Sequence, residues 1–140
     1  MTSAPLLFLL DTNTCVSIMN ARPARVRGRM KAATDMGHAL GISSITLHEL
    51  QFGVHNSARP DENSERLSTF VAGLDVFAFG NAAAEQAAIH RAVLKRSGQP
   101  IGPYDLLIAG HALALNAVLV TNNTGEFGRV EGLNVEDWTA

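Results

Sequence analysis

Three carboxylates far apart in the chain share one local grammar, an apolar run that leads to an acid. Asp11 closes LLFLLDTN, Glu49 sits in ISSITLHEL, and Asp105 follows a Gly-Pro turn in IGPYDLLIAGHA. Placing an acid beside apolar residues costs desolvation, and gathering several without a cation adds repulsion. A fold that accepts both costs usually binds a metal there. Asn122-Asn123 closes a further apolar run, so convergence of these sites gives three carboxylates and a neutral amide. Such hard oxygen ligands suit Mg2+ or Mn2+ rather than zinc, which prefers nitrogen and sulfur. Each acid also has a plainer role open to it: Asp11 and Asp105 as helix caps, Glu49 on a solvated helix face.

For those acids to meet, the elements carrying them must end at one edge. Leu6–Leu10 reads as a strand apolar on both faces, suited to the middle of a parallel sheet. Asp11-Thr12-Asn13-Thr14 offers capping side chains to a helix through Cys15–Met19. A second helix is expected over Arg22–Met36, with Arg22, Arg25 and Arg29 spaced to share a face. Leu40–Ile42 reads as a short strand ending at Ser43-Ser44, and Ile45–Val54 as a helix with Leu47, Leu50 and Val54 inward. His55–Asn63, polar and containing Pro60, reads as a loop before a helix from Ser64 to Ala72.

Val76–Phe79 reads as a strand, and Ala-rich Asn81–Ser97 as a helix with Ile89, Val93 and Leu94 as core candidates. After the turn Gly98–Tyr104 come an apolar helix over Asp105–Leu115 and a buried strand over Ala117–Val120. A last strand near Leu133–Val135 precedes Trp138, a packing anchor. Alternating strands and helices predict a parallel α/β sheet. Ligands bind beyond the carboxyl ends of such strands, where Asp11 and Asn122-Asn123 fall. Glu49 and Asp105, near helix starts that follow turns, fit the same edge.

Composition narrows the classes. A chain of 140 residues, 46% hydrophobic and 17% charged, is expected to form one domain with a real core. A net charge of −2 gives no general attraction to nucleic acid or to an anionic membrane, so a polyanionic substrate needs a local basic patch or a metal. Cys15 is the sole cysteine, which fits a reducing cytoplasm and a small buried residue on the first helix. The apolar run Leu6–Leu10 is too short for a signal-peptide core, and no stretch is long enough for a membrane span. No zinc-ligand spacing, nucleophile elbow or P-loop is present.

The chain resembles the PIN-domain ribonucleases, and within them the VapC-type toxins of bacterial toxin–antitoxin pairs. The pieces that carry the resemblance are LLDTN at 9–13, ISSITLHEL at 42–50, PIGPYDLLIAGHAL at 100–113, LVTNNTGEF at 119–127 and VEGLNVEDW at 130–138. The resemblance implies a single PIN domain over 1–140, an α/β/α sandwich with a central, mainly parallel sheet, and a Mg2+-dependent ribonuclease site. The family's catalytic acids carry over onto Asp11, Glu49 and Asp105. The fourth acidic position falls on Asn123, with Glu126 close enough to substitute. The expected metal ligands are Asp11 and Asp105, supported by Thr12, Asn13, Thr121 and Glu126. A cognate antitoxin that covers the site, and a homodimer, are also implied.

Substrate contacts are less marked. Arg22, Arg25, Arg27, Arg29 and Lys31 form a basic cluster from which Arg22, Arg25 and Arg29 are candidate RNA contacts. Arg91, Lys95 and Arg96 form a smaller one, and either cluster also reads as a solvated helix face. Aromatic residues make up 6%, and no RNA-stacking motif stands out. Selectivity then depends on RNA shape, and a structured RNA such as a tRNA is the expected substrate. Two rival readings are a metal-dependent phosphatase, which calls for a second acid beside Asp11 where Asn13 stands, and a catalytically weak binding module of the same fold.

Overall fold

The strands run β1 (Leu7–Leu10), β2 (Ala39–Ser43), β3 (Asp75–Phe77), β4 (Val118–Val120) and β5 (Val135–Glu136) in a computed structural model that describes residues 4–140. They form one sheet in the order β3-β2-β1-β4-β5, and every pairing is parallel. β1 lies in the middle, and the chain leaves it first toward β2 and later toward β4. That reversal opens a crevice beyond the ends of β1 and β4, where open α/β sheets take ligands.

Alternation along β1 splits the core. Phe8 and Leu10 face a cluster with Ile18, Val26, Leu50, Leu67 and Trp138, while Leu9 faces Leu94, Leu106, Ile108, Leu119 and Phe127. The first cluster is covered by α1 (Thr12–Asn20), α2 (Arg25–Asp35), α3 (Ser44–His55) and α4 (Pro60–Ala72). The second is covered by α5 (Asn81–Arg96), α6 (Pro103–Ala114) and α7 (Thr124–Phe127). The result is the expected α/β/α sandwich. Trp138 is the buried anchor, and Leu47, Leu50 and Val54 pack inward. No helix among the described residues is long and apolar enough to cross a membrane.

Besides shifts of one or two residues that set β3 at Asp75–Phe77, start α6 at Pro103 and set β5 at Val135–Glu136, three expectations need correction. α2 begins at Arg25, not Arg22, because α1 ends on Ala21 in the left-handed region, with Ala21 and Arg22 N–H groups bonded back to Ile18 and Ser17. Arg22 therefore lies in a turn and shares no helix face with Arg25 and Arg29. α4 begins at Pro60 and not Ser64: proline suits the first helical position, and Asp61 and Glu62 meet the positive helix start.

In α5, Leu94 is buried as expected, but Ile89 and Val93 are exposed; Ala83 and Ala87 are buried instead. The cause is close packing on α6. A Cβ at Gly110 would stand 2.6 Å from the Ala87 nitrogen, so the helices meet through small residues and turn the larger ones outward.

Candidate active site

Asp11 follows β1 directly and does two jobs. It is the N-cap of α1, its Oδ1 accepting the Thr14 N–H at 2.8 Å, and its own N–H donates to the Val120 carbonyl at 3.0 Å. Only 4% of it is exposed. Burial raises its pKa; hydrogen bonds from Thr121 and Thr14 oppose the rise, and nearby Asp137 adds to it. The cap and the buried acid are one residue, so the plain reading and the functional one hold together.

Register explains its neighbours. Leu10 pairs with Val120 and Val120 with Glu136, so the next residues, Asp11, Thr121 and Asp137, line the carboxyl edge of β1, β4 and β5. Asp137 was not singled out by sequence reasoning; its position directly after the last strand was the available signal. Its Oδ1 accepts from the Thr139 N–H and hydroxyl at 2.8 and 2.6 Å.

α3 and α6 bring the other acids. Ser43 caps α3 by accepting the Ile45 N–H at 3.0 Å, and its hydroxyl meets His111 Nδ1 of α6 at 2.8 Å. That buried strut joins the two helices that carry Glu49 and Asp105. Burial lowers the His111 pKa, which keeps the ring neutral and structural. The Thr12 hydroxyl donates to Glu49 Oε1 at 2.6 Å. Asp105 stands in the first turn of α6, after Gly102 and Pro103, where the helix start favours a negative charge.

Despite that favourable position, the Asp105 pKa rises to about 6. Burial is the main cause, followed by the charges of Asp11, Glu126 and Glu49. Four acids thus repel across one gap, although no three His, Cys, Asp or Glu side chains among the described residues converge closely enough to hold an ion by themselves.

Asn123 is also in place. Its N–H donates to Thr121 Oγ1 at 2.9 Å, and its side-chain Nδ2 donates to Glu126 Oε2 at 2.8 Å. The amide therefore orients Glu126. Asn13 is exposed, and no hydrogen bond joins it to the acids among the described residues.

The basic candidates separate. Arg29 pairs with Glu136 at 3.1 Å, beside the acid edge. Arg22 and Arg25 are exposed without such a tie to the edge, and Arg27 donates to the Ile18 and Met19 carbonyls that end α1. A groove of about 280 Å3 runs from Thr12 and Glu49 past Val16 and Gly53 to Arg66, a cation that sequence reasoning did not single out.

A parallel sheet with acids at its switch-point edge is a ligand-binding α/β architecture, and comparison with known proteins gives its family. The PIN domain profile matches residues 8–133. The tRNA(fMet)-specific endonuclease VapC of Shigella flexneri is 44% identical over 134 residues, covering 96% of this chain and 99% of the relative. Ribonuclease VapC2 of Rickettsia felis is 38% identical, covering 95% and 98%. Among solved structures, VapBC2 from Rickettsia felis bound to a DNA fragment from its promoter superposes with a TM-score of 0.90 at 37% identity, covering 95% and 99%. DNA-bound VapBC from Salmonella typhimurium gives 0.88 at 42%, covering 95% and 98%. The chain belongs to the PIN-domain family and, within it, to the VapC-type ribonucleases.

Proposed function

We propose that this chain is the toxin of a toxin–antitoxin pair: a cytoplasmic, Mg2+-dependent endoribonuclease, one PIN domain over 1–140, that cuts a structured RNA. A tRNA is the class of substrate, by analogy with the Shigella and Salmonella relatives. The observation that carries the reading is the match to the PIN domain over residues 8–133; the repulsion of Asp105 by Asp11, Glu126 and Glu49, which with burial lifts its carboxyl to about 6, supports it. A site built of mutually repelling acids is relieved by a cation.

The donor set is of the kind that Mg2+ takes, with Mn2+ as a substitute: oxygen ligands from one or two carboxylates, the rest of the shell being water. Asp11 and Asp105 would hold it. When bound, the ion supplies activation of water and neutralisation of phosphate charge. Glu49, with Oε1 fixed by Thr12, keeps Oε2 to orient the attacking water and receive its proton. Glu126, oriented by Asn123, completes the acidic rim. Thr121 keeps the Asp11 carboxylate in place by hydrogen bonding.

In-line attack by water needs no ribose 2′-hydroxyl, so the products carry 5′-phosphate and 3′-hydroxyl ends. The test compares cleavage of a tRNA by wild type and Asp105→Asn, with Mg2+ and with excess EDTA, mapping the ends. A 2′,3′-cyclic phosphate, or equal activity in EDTA, overturns the reading. The partner is a cognate antitoxin, supported by neighbours solved as VapBC complexes. A basic antitoxin side chain suits a cluster of acids.

A further inference from the structure

We propose that Tyr104 and His48 form a stacking platform for one unpaired nucleobase of the RNA, placed beside the acid cluster. The inference rests on the ribonuclease reading and adds to it the subsite that holds the base next to the scissile phosphate. Tyr104 precedes Asp105 in the first turn of α6, and His48 precedes Glu49 on α3. Their ring centroids stand 5.9 Å apart with planes tilted by 44°. Two rings from distant segments thus meet with each one's chain neighbour in the acidic site.

The placement is selective. Among the described residues, the large aromatics counted as exposed are Tyr104 at 48% and Phe52 at 61%. Phe52 lies four residues after His48 and three after Glu49, so it neighbours each of them on the surface of α3. Of the other large rings, Trp138, Phe8 and Phe127 are buried and Phe70, Phe77 and Phe79 are half-buried. Aromatic surface left in water forfeits burial that the core would have rewarded. Here it is left beside the acids.

The chemistry of the site explains what such rings do. A cluster of acids repels RNA phosphates, the net charge is −2, and Arg27 and Arg29 are already engaged within the protein. Stacking supplies affinity that does not depend on charge and tolerates any base, because every base has a π-face. It also requires a base whose face is free, which a duplex does not offer. The platform therefore selects an unpaired nucleotide, as in a loop.

The test measures binding of a 5′-fluorescein single-stranded RNA oligonucleotide by anisotropy, in the Asp105→Asn background. Tyr104→Ala and His48→Ala are each expected to weaken binding about tenfold, with the slope of affinity against salt unchanged because no phosphate contact is lost. Tyr104→Phe keeps the affinity of its background, and the duplex form of the same RNA shows no difference between variants. Melting curves confirm that each variant is folded. Unchanged affinity in the alanine variants overturns the platform, including a result in which they weaken only an antitoxin complex. So does Tyr104→Phe binding as weakly as Tyr104→Ala, or an altered salt slope. Cleavage by the Asp105→Asn protein would instead count against the catalytic reading, and the binding comparison would stand.

Discussion

Replacing Asp105 by Asn should make the metal-free protein more stable while removing its chemistry. The Asp105 carboxyl titrates near 6 in the folded chain against 3.8 for an unperturbed aspartate. The folded state therefore binds more protons between those values, and its stability falls as pH rises from about 4 to 6. The full shift corresponds to about 3 kcal/mol at neutral pH. Asp105 is only half-buried, and solvent screening reduces that to about 1 kcal/mol. Asn keeps the shape and discards the charge, so in EDTA at pH 7.5 the variant should melt about 3–4 °C above wild type. The gap should close toward pH 4.5, where wild-type Asp105 is protonated.

Millimolar Mg2+ should then reverse the order, raising the wild-type melting temperature by binding the folded site and raising that of Asp105→Asn far less. The assay is a set of thermal melts at several pH values, with EDTA or Mg2+. A variant less stable than wild type in EDTA at pH 7.5, or a gap that widens on acidification, would refute the reasoning. So would a wild type indifferent to Mg2+.

Three further outcomes follow from the geometry. Thr12→Val removes the hydroxyl that fixes Glu49 Oε1 and should lower kcat about tenfold, the loss of one hydrogen bond to a charged group, with KM for RNA little changed in steady-state cleavage. Asn123→Asp turns the donor to Glu126 into a like charge; thermal melts should show lower stability in EDTA and a larger gain from Mg2+ than wild type. Gly110→Ala puts a methyl against the Ala87 backbone and should cost about 1–3 kcal/mol in urea unfolding.

The element order and the central acids could be read from the chain because both depend on local chemistry. A short apolar run such as LLFLL, bounded by Pro5 and Asp11, suits a buried strand better than a helix, and an acid ending it sits where a parallel sheet opens to ligand. The helix starts were harder. Pro60 marks a loop as readily as a first helical turn, and only the chain's path into α4 separates the two. Ile89 and Val93 looked inward by hydrophobicity, yet Gly110 draws Ala87 so close that the small face of α5 is the one buried.

That Asp11, Glu49 and Asp105 each follow an apolar run or a turn was legible in the sequence, since those signals are local; their meeting at one edge was an expectation strengthened by the family resemblance. What only the tertiary structure decided is which other groups join them. Glu126, already expected near Asn123, is held there by the Asn123 amide, and Asp137 enters because β5 pairs in register with β4. His111 stays neutral because it is buried against Ser43. The Tyr104–His48 pair exists only where α3 meets α6. Burial, register and charge repulsion are properties of assembled surfaces, and local pattern does not encode them.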